Sequence, residues 1–177
     1  MRIRIISIVL VSIIFLALVA CKAKKERVEL IEFGKKTEVA RQQSEGILMK
    51  FHQLKRYEDM KNFQELAQEM AQLILEIDDM LKPIKESRFE SEEIVKLQKE
   101  YIVVWSNFQD IMRMVLEVMV TGNKELGASL QQRLAEKNTM FQTALQQFNT
   151  HYDILMRRHG LSGDDLDLPF PEPTVAP

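Results

Sequence analysis

The chain has 177 residues, 46% of them hydrophobic and 28% charged, with 24 Lys and Arg against 26 Asp and Glu, one Cys and only 7% aromatics. That is one domain's worth of chain, and its β-branched residues are densest in the first twenty positions, so a β-sandwich or a parallel sheet has little to build from and an all-α fold is expected. Opposite charges nearly cancel and are interspersed, which leaves no footprint for nucleic acid, and a single cysteine excludes a disulfide within the chain.

Residues 1–21 read MRIRIISIVLVSIIFLALVAC: Arg2 and Arg4 precede a run without charge from Ile5 to Ala20, and the only cysteine follows. A basic n-region ahead of an apolar h-region is the layout of a secretory signal. Leu18, Val19, Ala20 and Cys21 resemble the lipobox of bacterial lipoproteins, where a dedicated peptidase cuts before the cysteine after its sulfur has been lipidated. The resemblance implies cleavage between Ala20 and Cys21 and diacylglycerol on the Cys21 thiol. It also implies a location: Lys22 is not the aspartate that commonly retains lipoproteins on the inner membrane, so the outer membrane facing the periplasm is expected. The competing reading, an uncleaved anchor, has only 16 residues where about 20 are needed to span a bilayer. Two or three acyl chains give stable anchoring where one is marginal.

The remaining chain divides into a lipid-anchored tether (21–36), a helical bundle (37–160) and an acidic, Pro-rich disordered tail (161–177). Gly34 and Gly46 and a largely polar composition weaken the stretch from 22 to 45, so the first bundle helix is expected at 37–60, on the stripe Ile47, Leu48, Phe51, Leu54 and Tyr57. The second is expected from Asn62, with Glu65 completing a capping box, through Phe63, Leu66, Met70, Leu73, Ile77 and Met80 to a stop near Pro83. The third has the clearest pattern. Ile94, Tyr101, Phe108 and Val115 repeat every seven residues, with Leu97, Val104, Ile111 and Val118 three places later, and Trp105, Met112 and Met119 widen the stripe. Ser87 with Glu90 forms a capping box at its start and Gly122 terminates it. Asn123 opens the fourth, carrying Leu130, Leu134, Phe141, Ala144, Leu145, Phe148, Tyr152 and Leu155 to about His159. The sum is an antiparallel up-down four-helix bundle whose long third and fourth helices form an overhanging hairpin. The tail holds Asp164, Asp165, Asp167, Glu172 and four of the five prolines, and without it the chain from Cys21 to Gly160 carries 22 charges of each sign.

Catalytic equipment is missing. The chain has no Glu-x-x-His for a di-iron centre, no Cys-x-x-Cys-His for covalent haem, no His-Glu-x-x-His, no phosphate loop and no Gly-x-Ser-x-Gly elbow. His151 lies in the apolar stripe of the fourth helix, and with Met49 on the first, which has His52 beside it, the pairing loosely resembles the Met and His ligation of four-helix b-type cytochromes. The ordinary reading is a core or boundary histidine near Lys137. Nine methionines follow Cys21 and could make a soft copper(I) site, but they are spread over the helices at mainly core positions, as gap-fillers are. Adjacent carboxylates such as Glu65 with Glu69, or Asp78 with Asp79, fall on polar faces, and Gln131, Gln132, Gln146 and Gln147 suit an exposed helical surface.

These readings converge on a lipid-anchored cell-envelope protein whose bundle is a non-catalytic interaction or structural module. Cys21 is its lipidation site and no metal or cofactor is expected. Its partners are the membrane, through the lipid, and another envelope protein. The alternative is a haem-binding electron carrier using His151 and Met49. Oligomeric state stays open, since one seam can close a bundle within a chain or between two.

Overall fold

The apolar stripes fold as four α-helices: α1 (Arg2–Arg56), α2 (Phe63–Lys85), α3 (Glu92–Thr121) and α4 (Leu126–Arg158). The computed structural model describes the backbone of residues 2–56, 63–121 and 126–162, and the side chains of residues 21–53, 64–117, 120 and 129–162. The apolar run at 5–20, Leu54, Tyr57, the cap at Asn62, the turn at Gly122 and Asn123, and the acidic residues from 164 onward lie outside the fully described residues. α3 packs most extensively on α4 and on α2, and α1 lies on α2 with a smaller contact to α3. Gln98 reaches the Ile84 carbonyl and Gln109 the Ile74 carbonyl, so α2 and α3 are antiparallel. Phe148 meets Tyr101 and Phe141 meets Phe108, which makes α3 and α4 antiparallel as well. The result is an all-α four-helix bundle.

The expected tether is part of this bundle. α1 buries Glu26, Leu30, Phe33, Thr37, Ala40, Ser44, Ile47 and Phe51, alternately four and three residues apart, so the seam begins well ahead of residue 37. Gly34 and Gly46 do not interrupt the helix. The hydroxyls in the seam are satisfied locally: Thr37 donates to the Phe33 and Gly34 carbonyls and Ser44 to the Arg41 carbonyl. Such bonds let small polar residues sit in a core without an unpaired donor.

α3 follows its heptad stripe through Ile94, Leu97, Tyr101, Val104 and Phe108, all buried. Beyond that the stripe drifts: Met112 is fully buried while Ile111 and Val115 are half-buried. A straight helix of 3.6 residues per turn slips against a seven-residue repeat, and the slip brings in the flanking methionine. Along α4 the core side of Ala144, Leu145, Phe148, Tyr152 and Leu155 is buried. Leu130, Leu134 and Phe141 are half-buried and Met140 is 51% exposed, as expected where the α3 and α4 hairpin outruns the shorter α2.

The helix ends differ from the local signals. Pro83 sits inside α2, which continues to Lys85. Ser87 and Glu90 do not form a capping box. Ser87 Oγ donates to the Pro83 carbonyl at 2.6 Å and accepts from Lys36 Nζ at 2.7 Å. Ser91 is the cap residue, its carbonyl accepting from Val95 N–H at 2.9 Å. At the other end, Gly160 adopts φ 62°, Gly160 N–H donates to the Arg157 carbonyl and Leu161 N–H to Met156. This closes α4 with the paired bonds of a Schellman turn, and Leu161 is buried beside Met156, so the bundle takes in the first residue expected in the tail.

Candidate functional site

Cys21 is exposed, as are residues 22–25 after it, and Glu26 is the first buried side chain after Cys21. Ala20 precedes the described side chains. At the level of Glu26, α1, the connection before α3 and the end of α4 meet. Glu26 Oε1 lies 2.9 Å from His159 Nε2 and 3.6 Å from Arg158 Nη1, and Ser91 Oγ donates to Glu26 Oε2 at 3.4 Å. One turn on, the Glu29 carboxylate accepts from Glu90 N–H at 3.2 Å and Ser91 N–H at 2.9 Å. Two carboxylates of α1 therefore occupy the N-terminus of α3, where the helix leaves its first N–H groups unpaired and a negative charge is favoured.

His151 lies further along the same end of the bundle, at the edge of the core rather than within it. Its Nδ1 is 2.7 Å from Glu100 Oε2 and its Nε2 is 3.2 Å from Glu93 Oε2. Both ring nitrogens are engaged by carboxylates of α3, and neither is left to ligate a metal. Met49 is 61% exposed on α1, and the two proposed haem ligands are not brought together. The neighbouring Phe51 packs on Phe108, which in turn meets Phe141 of α4, so Met49 stands at the level of Phe141. His151 is ten residues further along α4, about 15 Å. His52 is exposed.

Lys96, Glu100, Gln146, Thr150, His151 and Ile154 line an open groove of about 600 Å³ between α3 and α4. It has hydrogen-bonding capacity but no assembled nucleophile: Thr150 Oγ1 donates to its own helix at the Gln146 carbonyl. Lys137 does not pair with His151; it bonds Asp110 Oδ2 of α3 at 2.8 Å. Of the methionines, Met70, Met80, Met112, Met114 and Met156 are buried and Met49 and Met140 exposed, a distribution of core fillers rather than of a cluster. Among the described residues no group of three or more His, Cys, Asp or Glu is placed to hold a metal ion.

Sequence reasoning missed Glu93 and Glu100 as the partners of His151. Their spacing carried a signal, because residues seven apart on α3 share a face beside the seam. Sequence reasoning also missed the pairing of Glu26 with His159, which joins residues 133 positions apart. Among the described residues no helix is long and apolar enough to cross a membrane. No protein-family model, no curated protein and no solved structure matches the chain.

Proposed function

We propose that the chain is a lipid-anchored cell-envelope protein whose bundle acts as a non-catalytic interaction or structural module, carried on the outer membrane facing the periplasm. The observation that carries this reading is Cys21, the only cysteine, placed directly behind Leu18, Val19 and Ala20 and a run of 16 residues without charge. Support comes from its surroundings. Cys21 is exposed on α1, five residues ahead of the buried Glu26, where a thiol is accessible to modification. The histidine nearest to a catalytic role is held by two carboxylates with no nucleophile beside it. What the groove between α3 and α4 offers is a surface of mixed polarity, suited to contact rather than to turnover.

Intact mass and absorbance of the protein purified from its own membranes in detergent test this. The expected mass lacks residues 1–20 and carries acyl chains on Cys21, with no visible absorbance. A full-length, unacylated mass overturns the anchor, and a Soret band that disappears in His151→Ala overturns the interaction reading in favour of electron transfer.

A further inference from the structure

We infer that the end of the bundle from which the Cys21 anchor leaves is a docking face for anionic phospholipid headgroups, which holds the bundle upright on its membrane. The inference rests on the lipid-anchored reading and adds a surface to it.

Three parts of the chain meet at this end: the part of α1 just after Cys21, the connection from residue 86 to 91, and the C-terminus of α4. Lys25 pairs with Glu90, and Glu26 with His159 and Arg158. Residues 22–25 alone separate Cys21 from the first buried side chain, and they are helical. From Cys21 to Glu26 the rise is about 7.5 Å. A leash of that length keeps this end of the bundle within about one Debye length of the headgroups, where charges act with little screening.

The charges of this end are sorted by sign. Its acidic side chains on α1 turn inward, Glu26 onto His159 and Arg158 and Glu29 onto the Glu90 and Ser91 N–H groups just ahead of α3, so their charge is compensated inside the protein. Its basic side chains turn outward. Lys22, Lys24 and Arg27 on α1, Arg88 in the connection and Arg157 at the end of α4 are all exposed. Lys22, Lys24 and Arg88 have no ion-pair partner among the described residues, and Arg157, although paired with Asp153, keeps 80% of its side chain exposed. The exposed carboxylates beside them, Glu86, Glu90 and Glu92, are fewer. Flexible ammonium groups and planar guanidinium groups grouped around an anchor point are the chemistry that attracts phosphate esters of anionic lipid.

The test uses the acylated protein with a single added cysteine, Glu86→Cys at the near end or Val120→Cys at the far end, labelled with a fluorescent donor. Each is reconstituted in phosphatidylcholine vesicles with or without phosphatidylglycerol, carrying an acceptor on a trace headgroup. Between them lies α3 from Glu92 to Val120, about 42 Å. In phosphatidylglycerol vesicles the Glu86 label is expected to transfer several-fold more energy than the Val120 label. That excess falls in phosphatidylcholine alone and in the combined variant Lys22→Gln, Lys24→Gln, Arg88→Gln. Equal transfer from the two labels in anionic vesicles, or an excess that survives both changes, overturns the docking face. Intact mass on the same sample separates the two readings. An acylated protein with equal labels sinks the docking face alone, whereas an unacylated protein removes the anchor and the docking face with it.

Discussion

Phe33 shows how much of the core rests on one side chain. It is fully buried, and its ring lies 6.0 Å from Phe89, 6.1 Å from Tyr101, 6.3 Å from Phe148 and 6.4 Å from Tyr152, so it touches α3, α4 and the connection between α2 and α3 at once. Removing a ring with such neighbours leaves a cavity that none of them can fill alone. Phe33→Ala is expected to cost about 3–5 kcal/mol in urea unfolding; a change within error would mean that this part of α1 hangs loose as a tether. Burial, followed by the Glu38 carboxylate, pushes the nearby Tyr152 phenol up to about 12. Glu38 itself is a second residue with a readable signature. Hydrogen bonds from the Arg41 guanidinium hold its carboxyl below the ordinary 4.5, against an opposing effect of burial, and Gln42 adds to the lowering. A carboxyl depressed in the folded state is deprotonated there at pH values where the unfolded chain still binds a proton. Its contribution is present above pH 4.5 and is lost as pH falls through the folded value. Glu38→Gln should therefore lower the urea midpoint at neutral pH and approach the parent as the pH drops below that range. A deficit of constant size across the titration would contradict the assignment.

At the scale of the element, the start of α3 is set by another helix. The Glu29 carboxylate from α1 takes the N–H groups of Glu90 and Ser91, doing from a distance what a capping side chain does locally. Glu29→Ala is expected to lose about 1–2 kcal/mol, the scale of a cap together with the helix-terminus charge. Glu90→Gln, which removes an exposed pair with Lys25, should change stability by less than about 0.5 kcal/mol. If the two effects were reversed, the local box of Ser87 and Glu90 would be the true start. This pair of residues also marks what a sequence can disclose. The α2, α3 and α4 stripes were legible because large apolar residues fill them at helical spacing. The α1 seam was not, because Thr37, Ala40 and Ser44 occupy the middle of it and carry little hydropathy, and only the backbone bonds of the two hydroxyls make them core residues. Caps were legible only where the partner is close in the chain. The fourth helix was expected to end at about His159, and it ends at Arg158 with the Gly160 turn behind it, whereas Ser87, with Glu90 at the spacing of a box, misled because Glu29 is 61 positions away. His151 was visible as an odd residue in a stripe, but its two glutamates belong to another helix and follow only from the fold.

At the scale of the whole molecule, opposite charges lie in different parts of the chain. From Cys21 to Gly160 the charges balance, and the surplus of acid belongs to the segment after Ser162, with Asp164, Asp165, Asp167 and Glu172. Leu161 is buried at the end of α4, at the same end of the bundle as Lys22, Lys24 and Arg88, so the acidic segment is joined to the chain beside the basic face. Each basic group near an anionic surface is worth about 1 kcal/mol, and a carboxylate held there opposes it by a comparable amount. Truncation after Ser162 removes four such charges without touching a described core residue. The shortened, acylated protein is expected to keep the excess energy transfer of its Glu86 label to a higher salt concentration than the full chain, since more net positive charge must be screened. An unchanged salt midpoint would place the acidic segment more than a Debye length from the headgroups. The lipid would then fix the distance to the membrane and the sorted charges of α1 just after Cys21, the α2 to α3 connection and the α4 end would fix the tilt, with no part left to the tail.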